Sequence, residues 1–117
     1  MTAKVPPSPR PSVAKGDREQ LTARLGALDE PSALREKLRD LARDDPQFAQ
    51  SEAIRLFSAW LWRRWRTELS PFGFAPRELR GVLAGDRREL WLWLMGDRPF
   101  AQLADGVAGR VLRRLRG

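Results

Sequence analysis

The chain has 117 residues, 42% of them apolar, and carries a net charge of +7 with no cysteine, histidine or tyrosine. That length buries roughly 65% of the surface an unfolded chain exposes, enough for one packed core. The missing cysteines exclude a disulfide framework or a thiolate metal site, and the missing histidines remove the commonest metal ligand and general base together.

Residues 1–16 are expected to form a disordered lead, because Pro6, Pro7, Pro9 and Pro11 exclude a helix and few apolar groups are present to pack. This segment has no apolar signal-like stretch, so a cytoplasmic location is expected. The rest, residues 17–117, reads as a single all-α domain, a small bundle of five or six short helices.

Order is expected from Asp17, where Asp17-Arg18-Glu19-Gln20 has a capping residue with glutamine three positions on. Leu21, Leu25 and Leu28 then share one helical face, and Leu34, Leu38 and Leu41 form the stripe of the next helix after Pro31. Asp45-Pro46 ends that helix and opens a third, since aspartate caps well and proline suits a first turn.

The third helix spans about 46–69. Ile54, Phe57, Leu61 and Trp65 keep the helical period, while Leu56, Trp60 and Trp62 widen the apolar arc toward that of a central helix touching two sides. Ser70 to Pro76 breaks the pattern as a turn whose Phe72 and Phe74 fold back onto the core.

Gly85-Asp86 and Gly96-Asp97 each place a helix-closing glycine before a helix-capping aspartate. Between them lies LWLWLM, Leu90 to Met95. An apolar run of this length does not by itself separate helix from strand, but no partner strand is evident, so a helix apolar all round, and hence the most buried element, is expected. It also falls far short of the about 20 residues that span a bilayer. A last helix over about 98–116 turns Phe100, Leu103, Val107, Val111 and Leu115 inward. Gln102 to Val107 has the start of a helix-turn-helix pattern, but Ala108 stands where the turn glycine belongs and too little chain follows for a recognition helix.

Charge is unevenly placed. Residues 1–52 hold nine basic and nine acidic groups, whereas residues 53–117 hold 13 arginines against six acids. An asymmetry of this kind points to an anionic partner, although 19 arginines among 22 basic residues also fits a GC-rich genome.

Three features could carry function, each with a plain structural reading beside it. In WLWRRWR, Trp60 to Arg66, interleaved tryptophan and arginine could stack on bases and pair with phosphates, or seat a helix at a membrane surface; the plain reading is core tryptophans and solvated arginines. Trp62 is the tryptophan expected to stay partly exposed, and Arg64 is expected to pair with Glu68. In RVLRRLRG, the four arginines Arg110, Arg113, Arg114 and Arg116 exceed what the helix dipole needs, although that dipole and solubility are the plain reading. Gly106 and Gly109 share a face with Arg110 and Arg113, which lets a phosphate backbone or a second helix approach or simply breaks the helix. Asp86, Glu89 and Asp97 are each explained as caps, and no nucleophile motif or phosphate-cradling loop occurs.

The expectation is therefore a non-enzymatic binding module with no cofactor and no metal, most naturally for nucleic acid, read through Arg63, Arg66, Arg110, Arg113, Arg114 and Trp62. The alternative is a protein-interaction or homo-oligomeric adaptor with an apolar Trp/Leu surface.

Overall fold

The computed structural model describes the backbone of residues 15–116 and the side chains of residues 19–115. Among the described residues there are six α-helices and no strand: α1 (Lys15–Gly26), α2 (Ser32–Asp44), α3 (Pro46–Leu69), α4 (Pro76–Gly85), α5 (Arg87–Leu94) and α6 (Phe100–Arg116), with one 3-10 turn at Ser70–Phe72. The LWLWLM run is helical, which decides helix against strand. Residues 1–14, the bulk of the expected disordered lead, lie outside the described residues. Helix begins two residues earlier than expected, at Lys15, so Asp17 falls inside the first turn and not ahead of it.

Local chemistry sets the boundaries of α3 to α5. Asp45 is extended (φ −149°, ψ 90°) and its Oδ1 accepts from the Phe48 N–H at 3.1 Å, with Pro46 in the first turn of α3. Gly73 (φ +78°) closes the 3-10 turn. At α4, Glu78 Oε1 accepts from the Ala75 N–H at 2.9 Å, one half of a reciprocal cap whose other half alanine cannot supply. Gly96 (φ +92°) ends α5 in a Schellman motif: its N–H donates to Trp93 O at 3.0 Å and the Asp97 N–H to Leu92 O at 2.8 Å.

Gly85 departs from the expected punctuation. Its φ is not positive; α4 passes into α5 through Asp86 (φ −105°, ψ 22°), whose N–H is taken up by Val82 O and Leu83 O. With those carbonyls already partnered, no left-handed residue is needed. The Asp86 side chain makes no cap hydrogen bond, so its expected capping role is not what the structure shows. Glu89 pairs with Arg98 at 3.1 Å, and Asp97 sits in the Schellman turn, not at the start of α6. The latter helix runs unbroken through Gly106 and Gly109, with no internal turn.

α3 packs against α1, α2, α4 and α5, while α6 closes across α1, α4 and α5. Trp65, Trp93 and Phe57 are the largest fully buried side chains, joined by Leu25, Leu38, Leu61 and Leu69. Each such buried leucine contributes about 1.5–3 kcal/mol relative to exposure. Phe57, Trp60, Trp93 and Phe100 form one aromatic cluster with centroids 5.4–6.3 Å apart, within the range of favourable ring contacts. Phe74 is buried and Phe72 packs partly buried against the core, so both phenylalanines of the turn fold back.

α5 is less enclosed than its composition implies. Leu90, Trp93 and Leu94 are buried, but Trp91, Leu92 and Met95 are half-buried, because α2, α3, α4 and α6 do not surround the whole helix. Leu115 likewise is half-buried. No helix among the described residues is long and apolar enough to cross a membrane.

Candidate functional site

α4 is ten residues long and lies between two grooves, one shared with α3 and one with α6. Its sequence places different residues toward each. Pro76 and Arg80, one turn apart, line the α3 side; Gly81 and Gly85, also one turn apart, line the α6 side with Val82. At 100° per residue, Arg77 falls between Arg80 and Gly81 on the outward face, and it is exposed.

The α3–α4 groove encloses about 620 Å³. Half-buried Leu56 and Trp62, with Ala59, give it an apolar surface, and the exposed Arg55, Arg63 and Arg80 surround that surface with charge. Ser58 is buried and its hydroxyl donates to Arg55 O at 2.9 Å, so it has no proton to offer a ligand. The Arg55 guanidinium is held by both oxygens of Glu52, at 2.9 and 2.8 Å.

The α4–α6 groove is smaller, about 190 Å³, and is lined by the two glycines, Val82, Arg110, Arg113 and Arg114. A methyl group at Gly81 would sit 3.5 Å from Arg114 Nη1, and one at Gly85 3.6 Å from Arg110 Nη1. The guanidinium groups therefore lie close against the glycine face of α4.

Arg110 is not a free cation. Its Nε donates to Asp86 Oδ1 at 2.5 Å, and Asp86 is buried with Oδ2 lacking any hydrogen-bond partner among the described residues. Burial raises the Asp86 carboxyl above its ordinary range, Arg110 draws it back, Glu89 adds to the rise and Arg113 opposes it. The aspartate thus ties α6 to the α4–α5 junction.

The other arginines named from sequence separate. Arg63 joins Trp62 in the α3–α4 groove, and Arg113 and Arg114 join Arg110 in the α4–α6 groove. Arg66 is exposed one turn beyond Arg63 but lines neither groove. Arg64 does not pair with Glu68; its guanidinium lies 4.3 Å from the Trp60 ring centroid, within reach of the ring's negative face, and Nη1 reaches Trp60 O at 3.4 Å. Nothing approaches within 4 Å of where a side chain would begin at Gly106 or Gly109.

Arg77 and Arg80 were not singled out from sequence. Reading Pro76 as the first turn of a helix ending at Gly85, and plotting that helix as a wheel, places Arg77 next to the glycine face and Arg80 on its other side, away from the glycines. Among the described residues, Arg63, Arg77, Arg80, Arg113 and Arg114 have no acidic partner within 4 Å, as is also true of Arg24, Arg39, Arg64, Arg66, Arg87 and Arg88, whereas Arg35, Arg43, Arg55, Arg98 and Arg110 have one; what sets the first five apart is their place around α4. No three acidic side chains among the described residues converge as metal ligands would. Comparison of the chain with protein-family models, curated proteins and solved structures gives no match.

Proposed function

We propose that the protein is a non-enzymatic module that binds nucleic acid through arginines on both sides of α4. One observation carries this reading: Arg63 and Arg80 in one groove, and Arg113 and Arg114 in the other, flank the same short helix without acidic partners, with Arg77 on the outward face between them. Unpaired guanidinium groups keep their full charge and their two-pronged donor geometry for phosphate. A polyphosphate backbone crossing α4 would meet cations on either side of a helix about 15 Å long.

The test is a salt titration of binding to random-sequence duplex and single-stranded oligonucleotides. Four to five phosphate contacts predict that log K falls linearly with log salt, with a slope of about −3 to −4.5. Absence of binding at about 50 mM salt, or a slope near zero, overturns the reading.

The adaptor reading has its own support in the half-buried Leu56 and Trp62 and in Phe48, which is 50% exposed. It predicts association that persists at high salt, measured by sedimentation of the protein alone and with candidate partners.

A further inference from the structure

We infer that the α3–α4 groove seats an unstacked base against Trp62, so that the ligand class is single-stranded nucleic acid and not duplex. This rests on the nucleic-acid reading above and narrows it. The two grooves beside α4 differ in kind. The α4–α6 groove offers guanidinium groups over a glycine face with Val82 as its single apolar side chain, a surface for phosphate alone. The α3–α4 groove, about 620 Å³, adds an indole and Leu56 inside a ring of arginines. That is the size of a small-ligand pocket, with an apolar interior and a few polar groups at its edge.

An apolar surface enclosed by cations matches a ligand that is flat and apolar at one end and anionic at the other. A nucleotide has that form. In a duplex the base faces are covered by their neighbours and only the edges reach the grooves. An aromatic side chain inside a groove therefore gains from a base only when the base is unstacked, the mode that single-strand binders use along a charged track. Arg63 and Arg80 stand beside Trp62 without acidic partners, placed for the flanking phosphates, and Arg113 and Arg114 continue the track beyond α4.

Two other occupants fit less well. The amino-terminal residues carry Lys4, Arg10 and Lys15 with no acid before Asp17, so a cationic groove repels them. An acidic amphipathic helix from a protein partner would use the Leu56–Trp62 surface but needs a continuous apolar stripe, and it would leave the second arginine groove unused.

The experiment measures anisotropy of a labelled oligothymidylate, an abasic strand of equal phosphate count, and a duplex of equal phosphate count. Each is titrated with the parent protein, Trp62→Leu and Trp62→Phe, with helicity checked by circular dichroism. Leucine keeps apolar volume without a ring; phenylalanine keeps a ring. The parent should bind oligothymidylate about 5- to 150-fold more tightly than the abasic strand. Trp62→Leu should abolish that preference while keeping abasic binding and its salt slope, and Trp62→Phe should retain most of the preference. Equal binding of the oligothymidylate and the abasic strand, tighter binding of duplex, or an unchanged Trp62→Leu preference overturns the base seat and leaves the nucleic-acid reading standing. Failure to bind any of the three overturns both. Displacement of the oligothymidylate by an acidic leucine/glutamate helical peptide that binds more tightly and depends on Trp62 assigns the groove to a protein partner and also overturns the proposal. The parent's discrimination between oligothymidylate and abasic strand needs no variant, so the test holds even if a substitution at Trp62 unfolds the chain.

Discussion

The indole Nε1–H of Trp93 donates to the Glu30 carboxylate at 2.7 Å, joining the α1–α2 connection to the last turn of α5 across 63 positions of sequence. Trp93 is fully buried, and the same Glu30 oxygen faces Arg35 Nη1 at 3.6 Å, while the Arg35 guanidinium stands 5.8 Å from the Trp93 ring. Removing the carboxylate strands a buried N–H. Glu30→Ala should destabilise the protein by about 1–3 kcal/mol, and Glu30→Gln, which keeps an acceptor, by less. Urea unfolding of the two variants beside the parent decides the matter. An alanine variant as stable as the parent would show that this bond contributes nothing.

Two glycines should respond to alanine in opposite directions. Gly96 holds φ +92°, and a methyl there would meet Arg39 Nη2 at 3.0 Å and Arg35 Nη2 at 3.3 Å. Arg39 is not free to retreat without losing its hydrogen bond to Met95 O at 3.0 Å. Gly96→Ala should therefore cost about 1–3 kcal/mol. Gly106 lies inside α6 with nothing within 4 Å of a built Cβ, so Gly106→Ala should stabilise by about 0.5–1 kcal/mol through helix propensity. In thermal melts, Gly96→Ala as stable as the parent would contradict the assignment of the α5 stop, and a destabilised Gly106→Ala would contradict open space at that position of α6.

These glycines also mark what the sequence makes legible and what it does not. Asp45-Pro46 and Gly96-Asp97 act through neighbours in the chain, so the start of α3 and the end of α5 can be read from spacing. Gly85-Asp86 has the same letters, yet its aspartate turns away from the backbone to meet Arg110, 24 positions later. No periodicity announces such a partner. Arg64 differs again: Trp60 and Glu68 stand one helical turn on either side of it, so the spacing offers both partners and does not choose the Trp60 ring that the guanidinium meets. The candidate site follows this division. Trp62 was recognisable as partly exposed from its place on the α3 wheel. The grooves themselves depend on where α3 and α6 pass α4, and only that packing sets Arg80 beside Trp62 and Arg114 beside Gly81.

Asp86 gives the protein a specific pH response. Burial, the largest influence, raises its carboxyl above the ordinary 3.8, with Arg110 opposing and Glu89 reinforcing. Between 3.8 and the raised native value, the folded state binds more protons than the unfolded one. Stability from this group is therefore greatest at the acid end and falls as pH rises through that window. Asp86→Asn removes the titration. The difference in unfolding free energy, parent minus variant, should decline as pH rises from 3.8 upward, measured by urea unfolding at stepped pH. A difference that instead grew with pH would mean that the attraction of Arg110 outweighs burial.

The arginines of the α4–α6 groove should not be equivalent in binding, although a sequence reading treats Arg110, Arg113 and Arg114 as one cluster. Arg113 and Arg114 have no acidic partner within 4 Å among the described residues, while Arg110 is engaged by Asp86 at 2.5 Å. A phosphate must displace that carboxylate from Arg110, compete only with its longer-range attraction at Arg113, and meet no such competition at Arg114. Arg113→Gln and Arg114→Gln should each lower the magnitude of the salt slope by about 0.7–0.9 and leave stability nearly unchanged, since both side chains are exposed. Arg63→Gln and Arg80→Gln, across α4, should match them. Arg110→Gln should do the reverse, with a smaller change in slope and a clear loss of stability, because it leaves the buried Asp86 carboxylate without its counter-ion. Arg43→Gln, on α2 and paired with Asp40 at 3.1 Å, serves as the control and should alter neither. Parallel salt titrations and urea unfolding of these variants separate the two roles. If Arg110→Gln lowers the slope as much as Arg114→Gln while stability holds, the ion pair with Asp86 does not restrain Arg110 in solution. If Arg43→Gln lowers the slope as much as the groove variants, the attraction is to overall charge and the two grooves do not form the phosphate track.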